Sequence, residues 1–384
     1  MKKRVGVIGT GLIATGLIRL LSTQEDLCVS GILTRRKIAE MKGYPKEELL
    51  TNSAEELIDG ADIIVECSGD VLHGSEVIEE AMNASLPVVT MNAELQVTTG
   101  SYFAAKGIFT EAEGDQPGCL AKLDEEVRQM GFKPVVYGNI KGFLNQNPTE
   151  EDMRYWSQRN GTSLGMTTSF TDGTKVHIEQ VLVGNGLGAD ISDHGILGLK
   201  ADDSRSGGEQ LAETAEKEGR VLSDYILSGS LPPGVFITAR HEEEQQDTLR
   251  YYKLGEGPYY TLQTNYHLCH LEILKTIRRV IAGGGILLNN STSPRLSVAA
   301  VAKQNLAAGT NIAHGIGSFE FRGEAVRIND EPSHVPIGLL RNAVLKRPME
   351  EGEMVRFSDI DLPDSFALHV WKKILNEQVA HAAK

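Results

Sequence analysis

"VGVIGTGLIATG", residues 5–16, stands directly behind a basic MKKR start and admits two incompatible structures. A charged start feeding an apolar stretch has the outline of a secretory signal. A strand and helix punctuated by glycine has the outline of a phosphate-cradling turn. Glycine separates the two. A signal core favours a continuous apolar helix, whereas Gly6, Gly9, Gly11 and Gly16 interrupt this run and Arg19 breaks it. Residues 4–8 therefore predict a short buried strand, residues 9–11 a tight turn and residues 12–21 a helix. The pattern is Gly9-x-Gly11-x-x-Ala14, the permitted variant of the dinucleotide fingerprint. Gly9 allows the turn, Gly11 lets backbone approach a pyrophosphate, and Ala14 permits close helix packing. Gly9, Thr10, Gly11, Leu12, Ile13 and Ala14 are thus expected to line a cofactor, with the first helical N–H groups facing its phosphates.

The next strand, "LCVSGIL" (27–33), ends in Thr34-Arg35-Arg36. A site preferring NAD usually places a carboxylate here, about 20 residues beyond the glycines, to accept from the ribose 2′-hydroxyl. None is present. A hydroxyl and two guanidinium forks suit a 2′-phosphate instead, which makes NADP the expected cofactor. The alternative is that Arg35 and Arg36 merely begin a solvated helix. Beyond them, "ADIIVECSG" (61–69) reads as a buried strand, "SEVIEEAMNA" (75–84) as an amphipathic helix, and "LPVVTMN" (86–92) and "KPVVYGNI" (133–140) as further strands. Strands alternating with helices imply a parallel sheet covered on both faces, with ligands outside the carboxyl ends of its strands. Ser68 and Gly69 are expected beside the nicotinamide; Asn92 and Glu94 either reach substrate or cap the next helix.

At 384 residues, 41% hydrophobic and 23% charged, the chain predicts two or three globular domains. A net charge of −14 with no long basic run argues against nucleic acid and anionic membrane as partners and leaves a small-molecule substrate. Cys28, Cys67, Cys119 and Cys269 lack metal spacing and fit thiols in a reducing cytosol, so a cytoplasmic location is expected. Beyond the first 21 residues no apolar run approaches the roughly 20 residues needed to cross a bilayer.

After residue 140 the texture changes. In "SFTDGTKVHIEQVLVGNGLG" (169–188), Asp172 or Thr171 makes an N-cap and residues 174–183 a helix. Asp172, Lys175 and Glu179 fall along one stripe, an ammonium between two carboxylates. Lys175 either polarises a carbonyl and supplies a proton as hydride arrives, with Glu179 tuning it, or forms an exposed surface pair with Glu179. In "GPYYTLQTNYHLCHLEILKTIRRVI" (257–281), His267 and His270 lie one turn apart beside Tyr260 and Glu272. His267 reads as an acid/base or substrate ligand, or as a core or capping residue, and either His267 or Glu272 is a candidate to assist proton movement; a metal shared with His270 is a weaker pattern. "NLAAGTNI" (305–312) and "PMEEGEMV" (348–355) align as two copies of one phrase around "FEFRGEAVRI" (319–328), read as a strand pair turning at Arg322-Gly323. That predicts a small β-rich module followed by a helix from about residue 368 to the end.

Together, the opening turn with "TRR", "VVTMNAE" (88–94), "GDQPG" (114–118), "SFTDGTK", "YHLCHLE" (266–272) and the repeated phrases resemble the homoserine-dehydrogenase-like NAD(P) oxidoreductases with a C-terminal SAF domain, a family that includes deoxyxylulose-phosphate reductoisomerase-like enzymes. The resemblance spans nearly the whole chain. It implies an α/β protein: a Rossmann doubly wound parallel sheet over 1–140, an α+β catalytic domain over 141–290 and a SAF-like β-rich domain over 291–384. It implies NADPH-dependent reduction, or its reverse, of a small sugar-phosphate, polyol or hydroxy-aldehyde, by a homodimer. Lys175 would stabilise the nascent oxyanion with Lys141 from "GNIKGF", near Asp172 and Glu179; for a phosphorylated substrate Arg295 and Lys303 are candidate anchors, or equally surface charges. Whether a divalent ion joins Asp172 and Glu179 stays open, and in that case it would take over the role of Lys175. Homoserine dehydrogenases typically carry a lysine after the "VVT-N" strand end, where this chain has Ala93-Glu94, so a homoserine or semialdehyde dehydrogenase is the second reading. A non-catalytic NADP-binding sensor is the third.

Overall fold

In the computed structural model, which describes residues 2–382, the chain gathers into two compact units. Unit 1 holds the chain up to Gly118, His267–Ser293 and the chain from Ser365; unit 2 holds Cys119–Tyr266 and Pro294–Asp364. This division departs from the expected boundaries at 140 and 290. No helix among the described residues is long and apolar enough to cross a membrane.

Unit 1 is built on six parallel strands: β1 (Lys3–Ile8), β2 (Leu27–Leu33), β3 (Leu50–Thr51), β4 (Ile63–Glu66), β5 (Val88–Thr90) and β6 (Phe109–Glu111). Their order, β3-β2-β1-β4-β5-β6, is the doubly wound one, with the reversal between β1 and β4. The expected α/β fold with an N-terminal Rossmann sheet is therefore the observed one.

Strand alternation feeds two cores. Val5 and Val7 of β1 and Ile63 and Val65 of β4 join Ala14, Leu17, Ile18 and Leu21 of α1 (Leu12–Leu21) on one face. Ile8 and Ile64 join Leu57 of α2 (Ala54–Asp59) and Val77, Ile78 and Ala81 of α3 (Val71–Asn83) on the other. The helix Ile273–Ile281 completes the first face with Ile273, Leu274, Ile277 and Val280. Each such side chain contributes on the order of 2 kcal/mol of burial. The final helix, Phe366–Ala382, starts close to the predicted place, but it packs on α3 and belongs to unit 1 rather than to the β-rich module.

"KPVVYGNI" does form a strand, β7 (Lys133–Lys141), but in the sheet of unit 2 rather than in the parallel sheet. With β8 (Leu199–Lys200), β9 (Leu222–Leu227), β10 (Gly234–Arg240) and β11 (Tyr260–Thr264) it makes a mixed sheet ordered β11-β10-β7-β9-β8. Tyr137, Val235 and Ile237 face one core, and Val136, Ile140 and Phe236 the other.

The β-rich module consists of β12 (Leu296–Ala302) paired with β14 (Phe321–Arg327), and of β13 (Asn311–His314), β15 (Arg341–Leu345) and β16 (Ile360–Asp361). The expected turn at Arg322-Gly323 is absent, because β14 runs straight through it. Gly323 serves close approach instead: a Cβ there would sit 2.7 Å from Val298 Cγ1 and 3.1 Å from Thr174 Cγ2. The two repeated phrases pair with each other. Leu306 N donates to Met349 O and Met349 N to Leu306 O, both at 2.9 Å. Gly309 N donates to Leu345 O and Gly352 N to Ala302 O, a matching pair of contacts from equivalent positions.

Candidate active site

The glycine turn has the conformation its sequence demands. Gly9 has φ +108°, and its N–H donates to Leu33 O at 2.9 Å. A Cβ at Gly9 would meet Cys67 O and Ser68 Cα at 2.9 Å, so the chain leaving β1 is wedged between the ends of β2 and β4. Gly11 has nothing within 4 Å of its missing Cβ, and as N-cap of α1 it offers no side-chain cap. The start of this ten-residue helix thus carries no side-chain cap, and its N-cap position faces open space. Ala14 is fully buried, as close packing requires; Thr10 and Ile13 are partly exposed and Leu12 is 62% exposed at the helix start.

Beyond β2, the Thr34 hydroxyl lies 3.3 Å from that of Thr10 and accepts from Arg36 N at 3.1 Å. Asn52 Nδ2 donates to the carbonyls of Thr34 and Arg36, which fixes this loop. Arg35 and Arg36 are both exposed; Arg35 pairs with Asp70 at 2.7 Å. Beyond β4, Gly69 is exposed with φ +67° and open space above it.

Ser68 is held from below by a residue the sequence reading passed over. Glu66, fully buried at the end of β4, accepts from Ser68 N at 2.7 Å, from the Ser68 hydroxyl, and from Thr90 Oγ1 at 3.2 Å. Burial pushes its carboxyl up to about 7, against the downward pull of the Ser68, Asn92 and Thr90 hydrogen bonds. A carboxylate inside "DIIVECSG" was the available signal. Asn92 takes the cap alternative: its Oδ1 accepts from Leu95 N at 3.1 Å.

The stretch "YHLCHLE" straddles the two units: Tyr266 ends a segment of unit 2, and His267–Glu272 open the segment that returns to unit 1. Cysteine Cys269 N donates to Gly114 O, and a Cβ on Gly114 would come 2.2 Å from Cys269 O, so "GDQPG" docks onto this segment through backbone. His267 is partly exposed. Glu272 is buried and engaged in local structure, accepting from Leu268 N at 2.7 Å and from Lys275 Nζ at 2.8 Å.

In unit 2 the polar stripe lies on the helix Thr174–Leu187, which runs four residues past its expected end. Lys175 and Glu179 are both buried, so an exposed surface pair is ruled out. Asn139 and Lys141, two apart on β7, point to the same face, and both donate to Glu179 Oε2, at 2.8 and 2.7 Å. Asn139 was not anticipated; its alternation with Lys141 was the signal. Neither Asp172 nor Thr171 is the N-cap expected of them: a preceding helix, Leu164–Thr171, ends on Asp172 and the N-cap is Gly173, in the left-handed conformation; Asp172 Oδ1 accepts from Thr174 N at 2.9 Å, while its other oxygen pairs with Lys303 at 2.6 Å. Lys303, expected to anchor a substrate phosphate, is buried and also donates to Ser318 O at 2.6 Å; burial lowers its ammonium below the usual lysine range. Arg295 donates to Ala189 O at 3.0 Å. The two carboxylates of the stripe are thus neutralised by separate lysines. Among the described residues, no group of three or more His, Cys, Asp or Glu is placed to hold a metal ion.

Comparison with known proteins finds two family models in succession along the chain. Residues 9–106 match the family model "Homoserine dehydrogenase, NAD binding domain", and residues 114–273 match "Oxidoreductase DRL, catalytic domain". The chain is an NAD(P)-dependent oxidoreductase. A search of curated proteins gives no match. Among solved structures, a probable dehydrogenase from Thermotoga maritima is 15% identical, with 75% of this chain and 91% of that chain covered at a TM-score of 0.42. The UDP-N-acetylglucosamine 3-dehydrogenase GnnA from Acidithiobacillus ferrooxidans is 12% identical, covering 76% and 92% at 0.40. A putative myo-inositol dehydrogenase from Sinorhizobium meliloti 1021 is 11% identical, covering 74% and 90% at 0.39. At these values the likenesses say nothing about this chain's substrate.

Proposed function

We propose that this oxidoreductase uses NADP(H) to reduce, or in reverse to form, the carbonyl of a small sugar-phosphate, polyol or hydroxy-aldehyde, with a reductoisomerase-like conversion as the leading case. The observation that carries the reading is the buried Lys175 beside a Glu179 already bonded by Asn139 and Lys141. A buried lysine in an oxidoreductase is a candidate electrophile, because its charge develops full strength against an oxyanion away from water. The nicotinamide, when bound, supplies or accepts the hydride. The Gly9–Ala14 turn and the N-terminus of α1 bind the diphosphate, Arg36 and Arg35 favour the 2′-phosphate, and the Ser68–Gly69 loop orients the ring. Lys175 stabilises the alkoxide and supplies its proton; Lys141 and Asn139 hold Glu179, which keeps the Lys175 ammonium in register. His267 is the remaining candidate for proton movement.

A homoserine substrate is disfavoured, since the homoserine dehydrogenase model covers only the cofactor-binding segment and stops at residue 106. The test is oxidation of NADPH by the purified protein with sugar-phosphate, sugar-acid and semialdehyde substrates compared. A K175A variant that binds NADPH as the wild type does and loses turnover by about a hundredfold or more supports the role; unchanged turnover removes it. The resemblance to homodimeric enzymes extends the proposal to a dimer, which light scattering tests.

A further inference from the structure

The sheet order places one ion pair in an unusual position. Arg35 follows β2 and Asp70 follows β4, and these strands flank β1 on opposite sides. Two strand spacings, roughly 10 Å, separate them. Yet Arg35 Nη2 lies 2.7 Å from Asp70 Oδ2, so the arginine side chain reaches across the carboxyl end of β1, where Gly9 is wedged between Leu33 and Cys67–Ser68. The two partners differ in exposure. Arg35 is 55% exposed, whereas Asp70 is 6% exposed and is the N-cap of α3, its Oδ1 accepting from His73 N at 3.1 Å. The arm belongs to the β2 loop and its latch to the start of α3.

We infer that the Arg35–Asp70 pair is a strap over the adenosine side of the dinucleotide crevice, with Asp70 the positioning residue that holds Arg35 in place. This rests on the cofactor reading above. The adenosine side is assigned because a doubly wound sheet reads the adenosine ribose at the end of β2, from which Arg35 springs. Arg35 has five N–H donors, and the one Asp70 takes leaves others for a 2′-phosphate. The strap therefore serves both nucleotides, and the phosphate adds to it only for NADP.

Release of bound NADH and NADPH, followed by nicotinamide fluorescence after mixing with competitor, tests it in the full-length protein with D70N, R35Q and the double variant. D70N keeps an oxygen to cap His73 N, so α3 retains its start. The expected result is that D70N and R35Q each release NADH about fivefold faster, and that D70N adds nothing once R35Q is present. An equal effect of D70N in both backgrounds makes Asp70 a helix cap only and overturns the strap. Slower NADPH release in D70N also overturns it, because Asp70 then competes with the 2′-phosphate. Unchanged release overturns the strap alone; failure of the wild-type protein to bind either nucleotide overturns the cofactor reading and the strap with it.

Discussion

At the scale of single residues, Glu66 sets the terms. Its carboxyl is raised from 4.5 to about 7 by burial, so the folded protein favours the protonated form more than the unfolded chain does. A raised group contributes stability that is full below pH 4.5 and is lost as pH rises through 7. The loss above pH 7 is about 3 kcal/mol. E66Q, which removes the titration and keeps a group able to bond Ser68 and Thr90, is expected to gain stability relative to wild type as pH rises from 5 to 8. Urea unfolding at each pH checks it; parallel curves refute it. A window scan by hydropathy counts four apolar neighbours and one acid and reports a strand. It is right about the strand and blind to the acid's neighbours, because Ser68, Thr90 and Asn92 come from two different strand ends. The Gly9–Ala14 turn was legible because its spacing is contained in six residues, although the contacts that crowd Gly9 come from Cys67 and Ser68. The burial of Lys303 was not legible, because Asp172, its partner, lies far away in sequence.

Elements show the same division between local and distant causes. The strand–turn–helix opening was legible to within one residue, the strand starting at Lys3 rather than at residue 4, since its period and glycines are local. β7 was legible as a strand but not as to its sheet, because nothing within the strand names its neighbours. Gly16, seen only as an interruption, has a distant reason: a Cβ there would lie 2.4–2.6 Å from three ring atoms of His270. G16A should therefore cost about 1–3 kcal/mol by overpacking, despite the roughly 1 kcal/mol helix preference of alanine over glycine. Adding G16A to H270A should instead stabilise. Thermal melts of the four proteins check both statements, and an equal cost of G16A with and without His270 defeats them.

On the scale of the whole molecule, the chain passes between its units at residues 118, 266, 293 and 364. Linear domain boundaries could not express this, because the segments completing unit 1 carry no label tying them to it. A fragment of residues 1–140, the domain the sequence suggested, is expected to aggregate and to bind NADPH at least tenfold more weakly, since Ala14, Leu17, Ile18 and Leu21 lose the cover of Ile273, Leu274, Ile277 and Val280. Light scattering and nucleotide titration decide it; a monodisperse fragment with wild-type affinity refutes the reasoning.

The interleaved path also governs how the protein comes into being. On the ribosome, α1 can pack early on β1 and β4, but that core waits through the translation of most of unit 2 before the helix Ile273–Ile281 arrives to complete it. Maturation of the nucleotide site is thus a late event, and a nascent chain stalled before that helix is a natural client for a chaperone.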